Sequence, residues 1–220
     1  MSINNSEAKI FTERIFTLIR NSETVEELIF IEKDEFEKKF RMDTNVYPKI
    51  KFDIQPTDLK ELIEKGILNN DYSFKEDITT KLNDPLTKLL YSLAWKNGDL
   101  KKLKHIAKGI SEYKKGFKDQ EDAFVFYQFG KYLTKNEGQP IIDQHVIRAF
   151  SAYITNDMND LTNIRNTATI TKNQKWVIVK YIDWLKSDEI SKSLKTEKDY
   201  SYHIDKILFA TGKKIKTKKK

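Results

Sequence analysis

Asp143 is the residue in this chain whose position says most about chemistry. It stands in Pro140-Ile141-Ile142-Asp143-Gln144-His145-Val146-Ile147-Arg148-Ala149-Phe150. Two apolar residues precede it and a helical pattern follows, so it falls at a helix start. A carboxylate there meets unpaired backbone amides and the positive end of the helix dipole, which favour its ionised form. Such a group can stabilise positive charge that develops in a reaction. It can equally serve as a plain N-cap, accepting from the amides of its own first turn. Other chemistries find little material. The chain has no cysteine, which excludes disulfides and thiolate metal sites and fits a reducing compartment. The three histidines, His105, His145 and His203, lie far apart without metal-ligand spacing. Seven glycines in 220 residues form no phosphate-cradling loop, and no serine sits on a recognisable nucleophile turn. A P-loop ATPase, a Rossmann oxidoreductase and a serine hydrolase are disfavoured, and neither metal nor cofactor is expected.

The run Asp143-x-His145-Val146-x-Arg148 resembles the segment that follows the hairpin in helix–hairpin–helix DNA glycosylases. The likeness spans residues 84–153: a helix ending near Gly109, a loop, an aromatic helix to Leu133, a short connection, then the aspartate. In that family an aspartate in this place helps the glycosidic bond break. The resemblance therefore implies an all-α fold, DNA as partner and Asp143 as the catalytic group. His145 and Arg148 match neighbouring motif positions. Tyr127 and Gln128 would read a base turned out of the stack, or simply pack. Lys114, Lys115 and Lys118, with Lys213, Lys214 and Lys216, would contact phosphates. The sequence departs from the family's pattern in two respects. The glycine-rich hairpin is replaced by Ile110-Ser111-Glu112-Tyr113-Lys114-Lys115-Gly116-Phe117-Lys118-Asp119. Glu121 and Asp122 stand where bifunctional members carry a lysine nucleophile. The implied activity is therefore monofunctional, aspartate-assisted base excision without Schiff-base chemistry. The alternative is a non-enzymatic helical interaction module or a subunit of a larger assembly. It draws on the aromatic surplus, the near-neutral body and the missing hairpin glycines.

Helical periodicity dominates the elements that must hold these residues. Helices are expected over 7–20, 24–40, from Pro56 to Gly66, from Pro85 through Leu89, Leu90, Leu93, Ala94 and Trp95 to Asn97-Gly98, over 100–108, 121–133 and 143–153, and at 173–186 and 200–214. Ser22 or Thr24 would cap the second. Residues 44–55 alternate apolar and polar positions around Pro48, as a linker or one short strand. The segment 109–119 reads as a loop. Helix 121–133, apolar on most sides, is expected at the centre of a bundle. Trp95, Trp176 and Trp184 are expected in the core, and Tyr202-His203-Ile204-Asp205-Lys206 on a solvated helix face. The fold class is all-α, a compact bundle of roughly eight to ten helices. The expected divisions are 1–83 as an N-terminal helical part, 84–212 as the helical core and 213–220 as a basic tail.

Charge restrains the nucleic-acid reading. Net charge is +7, but six of the last eight residues are lysines, so the body carries about +1. The tail would attract phosphates without reading sequence, or act as a solvated terminus. Met1 to Lys9 lacks the apolar stretch of a signal peptide, and no apolar run approaches membrane-spanning length. The expectation is a cytoplasmic protein with no membrane partner.

Overall fold

A computed structural model describes residues 3–116 and 123–217. Among these the regular structure is all helical, with a single isolated bridge between Leu68 and Phe74 and no strand. Residues 44–55, where a strand was one expectation, are irregular up to the next helix, and the chain passes from one structural unit to another there. The units are residues 1–49 with 137–220, and residues 50–136. This partition differs from the expected divisions at 83 and 212: residues 50–136 form one unit across residue 83, and residues 137–220 belong with residues 1–49.

The first unit contains α1 (Asn5–Asn21), α2 (Val25–Glu35), α8 (Gln144–Ile154), α9 (Met158–Asn166), one 3-10 turn (Lys172–Gln174), α10 (Lys175–Lys186), α11 (Lys192–Thr196) and α12 (Tyr200–Ile215). Its starts are written in local chemistry. Asn4 with Glu7, and Thr24 with Glu27, form reciprocal capping boxes that satisfy first-turn amides. The spacing of Ala8, Thr12, Ile15, Phe16 and Ile19 turns one face of α1 inward. The most enclosed helix is α12, with eleven of its sixteen residues buried. It lies against α8 so closely that a Cβ on Gly212 would stand 1.9 Å from the His145 carbonyl oxygen. Aromatic rings fill the space beside this pair. Phe16 stacks on Tyr153 at 3.9 Å between centroids, and Phe150 and Trp184 close around them. Trp184 is buried as expected, whereas Trp176 is 53% exposed.

The second unit contains α3 (Pro56–Glu64), α4 (Ile78–Lys81), α5 (Pro85–Lys96), α6 (Lys102–Ser111) and α7 (Phe124–Leu133). α6 runs on through residues expected to form a loop, and Gly109 lies within it rather than ending it. The reason is tertiary. A Cβ on Gly109 would meet the Tyr127 carbonyl oxygen at 1.9 Å, and one on Gly130 would meet the Ile106 carbonyl oxygen at 2.0 Å. Two glycines thus let the backbones of α6 and α7 touch, and the absence of side chains matters here rather than any turn.

α5 is different from every other long helix. Asp84 caps it, accepting from the amides of Leu86 and Thr87, and Asn97-Gly98 ends it with Gly98 at φ +70°. None of its residues is buried. Tyr91 and Ala94 are half-buried, Tyr91 meeting Phe74 edge to face at 5.7 Å.

Candidate functional site

Asp143 is the N-cap of α8, and its Oδ1 accepts from the amides of His145 at 2.6 Å and Val146 at 2.9 Å. Burial raises its carboxyl above the ordinary value. The two amides and the nearby Arg148 charge pull the other way without prevailing. The amides of the helix start do favour the ionised form as expected, but desolvation is the larger effect on this group.

Arg148 and His145 lie one turn further on. Arg148 is 1% exposed. Its Nη1 donates to the Gly212 carbonyl at 3.0 Å and meets His145 Nδ1 at 2.7 Å, and its Nη2 donates to the Thr167 carbonyl. Burial lowers the guanidinium to about 10, which leaves it charged at neutral pH. The His145 imidazole is pushed down to about 4, first by burial and then by the Arg148 charge. It is neutral near pH 7, so Nδ1 can accept from Arg148. The ring packs edge to face on Phe209 at 4.8 Å. Buried Arg148 thus clasps α8 to α12 and to the end of α9, with half-buried His145 against its Nη1 and half-buried Asp143 at the start of the same helix.

A groove of about 510 Å³ runs beside this clasp, lined by Arg148, Ser151, Asn156, Asp160, Gln174 and Trp176 among others. Asp143 is not among its lining residues. The groove is lined by two acids, Asp157 and Asp160, against one cation, Arg148, which is already engaged with backbone carbonyls, whereas a phosphate-binding rim would need a surplus of cations.

The remaining expected site residues fall elsewhere. Tyr127 and Gln128 lie in the second unit and are completely buried on α7, the Tyr127 hydroxyl donating to Glu112 at 3.1 Å. Base stacking on them is corrected to core packing. Lys114 and Lys115 also belong to the second unit. Lys115 pairs with Glu112 at 2.8 Å, and the Lys114 ammonium lies 5.5 Å from the Tyr113 ring centre. Lys118 lies outside the described residues. Lys213 and Lys214 are part of α12 rather than a tail. The Lys214 ammonium sits 4.0 Å above the Phe11 ring and near Phe36, and burial depresses its pKa. Lys216 follows the helix and is exposed.

Two features escaped the sequence reading. The first is Asp205, expected on a solvated face but 2% exposed. Its oxygens accept from the Ile141 amide at 2.7 Å and the Tyr181 hydroxyl at 2.6 Å. Burial holds its carboxyl far above the ordinary value. A carboxyl at this depth anchors the connection that leads into Asp143. No local pattern betrays it, since Ile204 and Ile207 alone do not say how deeply α12 is enclosed.

The second feature is the outer face of α5. Leu86, Leu89, Leu90 and Leu93 are 58–69% exposed. They recur at helical spacing and form one continuous apolar stripe. Trp95, expected in the core, is 66% exposed as well. Beneath the helix lies an apolar groove of about 460 Å³, lined by Ile67, Phe74, Leu90, Tyr91, Leu103 and Phe126 among others. The leucines themselves were visible in the sequence. Their exposure was not, because an amphipathic pattern says that a face is covered without saying by what.

Among the described residues no group of three or more histidine, aspartate or glutamate side chains could hold a metal, and no helix is long and apolar enough to cross a membrane. Searches of protein-family profiles, of curated proteins and of solved structures each give no match to this chain.

Proposed function

We propose that this chain is a non-catalytic helical interaction module that works through the outer face of α5. The observation that carries this reading is the four-leucine stripe, more than half exposed on a helix that buries no residue of its own. Leaving that much contiguous apolar surface in water is costly, and surfaces of this kind mark contacts with other macromolecules. The near-neutral body and the burial of Tyr127 and Gln128 support the same reading.

The competing reading is aspartate-assisted base excision on DNA. It needs the Asp143 carboxylate at an open groove flanked by cations. Asp143 instead gives Oδ1 to two amides of its own helix and stands apart from the lining of the neighbouring groove. Its role under the interaction reading is structural: Asp143→Ala lowers stability by about 1 kcal/mol, as loss of a helix cap does.

The experiment has two arms. A photo-crosslinking residue at Leu89 captures a protein partner in cells, while the same residue at exposed Asn159 does not. In parallel, the purified chain and Asp143→Asn are incubated at low salt with duplexes carrying damaged or mismatched bases. No base is released by either protein. Base release by the parent that disappears in Asp143→Asn, with no crosslink at Leu89, reverses the assignment.

A further inference from the structure

We infer that the groove between α8, α9 and α10 binds a small zwitterion, a free amino acid or a short peptide, with its carboxylate toward Arg148 and its ammonium toward Asp160. The inference stands apart from the α5 reading, since every residue lining this groove belongs to the first unit.

Arg148 provides the cationic end. A guanidinium holds its donors in a rigid planar fork, and a buried one normally has a carboxylate at hand and each N–H satisfied. Arg148 falls short on both counts. Its two terminal nitrogens are engaged, but its buried Nε has no acceptor, and among the described residues it forms no ion pair. Asp143 acts on it only at longer range. The Nε–H and Nη2 share one edge of the fork. Nη2 reaches the Thr167 carbonyl, and Thr167 and Arg148 both line the groove, so the unused donor is turned to that side. A charged donor buried without a partner is costly, and a carboxylate brought in through the groove relieves that cost. Ser151, one turn further along α8, is buried at the same floor, and its hydroxyl makes no hydrogen bond of its own among the described residues. It offers the carboxylate a second donor.

The opposite wall is acidic. Asp157 and Asp160 stand on the α9 side, and no lysine lines the groove. Asp157 gives Oδ1 to the Asn159 amide as the cap of α9. Exposed Asp160 has neither hydrogen bond nor ion pair among the described residues, so its carboxylate is open to a ligand. A purely anionic ligand is repelled by this wall, and a purely cationic one leaves Arg148 unsatisfied. A ligand carrying both charges meets both needs. Between the two ends, Ile154, Ile164 and the Trp176 indole supply apolar contact. The Lys180 ammonium already lies 4.9 Å from the centre of that indole, so the ligand's cation belongs at Asp160 and its apolar part at the ring. At about 510 Å³ the groove has the size of a small-molecule site.

Calorimetric titration of the full chain with the common amino acids and a set of dipeptides tests this. Those that bind are then repeated as their N-acetyl and C-terminal amide derivatives. Free zwitterions bind, and blocking either end weakens binding by at least about tenfold. Binding by amino acids alone or by dipeptides alone identifies which of the two the groove takes. Asp160→Asn, at an exposed position, weakens the free ligand by a similar factor and removes its advantage over the N-acetyl derivative. Arg148 also clasps α8 to α12, so its end is read from the amide derivatives rather than from a substitution. No binding by any probe at millimolar concentration, binding that survives the loss of either ligand charge, or binding indifferent to Asp160→Asn overturns the proposal.

Discussion

Acid should weaken this protein through His145, and the structure gives the size of the effect. Folding moves the imidazole from 6.5 to about 4, by burial first and the Arg148 charge second. The unfolded chain therefore binds a proton more readily between those two values, so the contribution is complete above pH 6.5 and is lost as pH falls toward 4. At about 1.4 kcal/mol per unit the ceiling is about 3.5 kcal/mol. Solvent still reaches the half-buried ring, which reduces the expected loss to roughly 1–2 kcal/mol. The cause is specific: protonated Nδ1 can no longer accept from Arg148 Nη1 at 2.7 Å, and two cations would then face each other. The perturbation is His145→Asn, whose amide oxygen can still accept from Arg148 but does not titrate. The assay is urea unfolding followed by the fluorescence of buried Trp184, near pH 7.5 and at about pH 4.5. The parent loses roughly 1–2 kcal/mol more than the variant between those conditions. The comparison is between proteins because Asp205 titrates with the opposite sign, so the parent's total slope mixes the two. Equal losses in parent and variant, or an imidazole that titrates near its ordinary value in the folded chain, would refute the argument.

The buried carboxyl at residue 205 predicts the reverse dependence. Its folded value lies well above 3.8, so the folded state holds the proton more tightly and stability falls as pH rises out of the acid range. Asp205→Asn keeps an acceptor for the Ile141 amide and a donor for the Tyr181 oxygen without a buried charge. It is expected to leave stability at neutral pH unchanged or raised, with a flatter slope by urea titration, and a large loss there would contradict the assignment. Gly109→Ala and Gly130→Ala each press a methyl group into a backbone carbonyl, at 1.9 Å and 2.0 Å. Each should cost about 3 kcal/mol or more in thermal or urea unfolding, while Gly116→Ala, with nothing within 4 Å, should cost little.

The sequence by itself determined the helical class and most helix ends, because those depend on neighbours along the chain. Thr24 and Asp143 stand where caps were expected, α5 starts at Pro85 as expected, and Gly66 and Gly98 take the left-handed conformation that ends α3 and α5. Short α4, α9 and α11 were not foreseen: polar α9 buries only Leu161 and Arg165, too little for a periodic signal. Tertiary structure alone decided which faces meet and how deeply. Gly109 looks like a helix stop in sequence, yet it is the point where two backbones touch. Asp205 looks like a surface acid until α12 is enclosed on nearly every side. Asp143 had two readings at one position, and its partners, two amides of its own first turn, are a matter of where the side chain turns. Leu86, Leu89, Leu90 and Leu93 announce a face that must be covered, and only the packed unit shows that this chain leaves it open. The division has one physical cause. Backbone capping and helical periodicity are set by residues a few positions apart, whereas burial, and with it charge state and surface, is set by residues the fold brings from far along the chain.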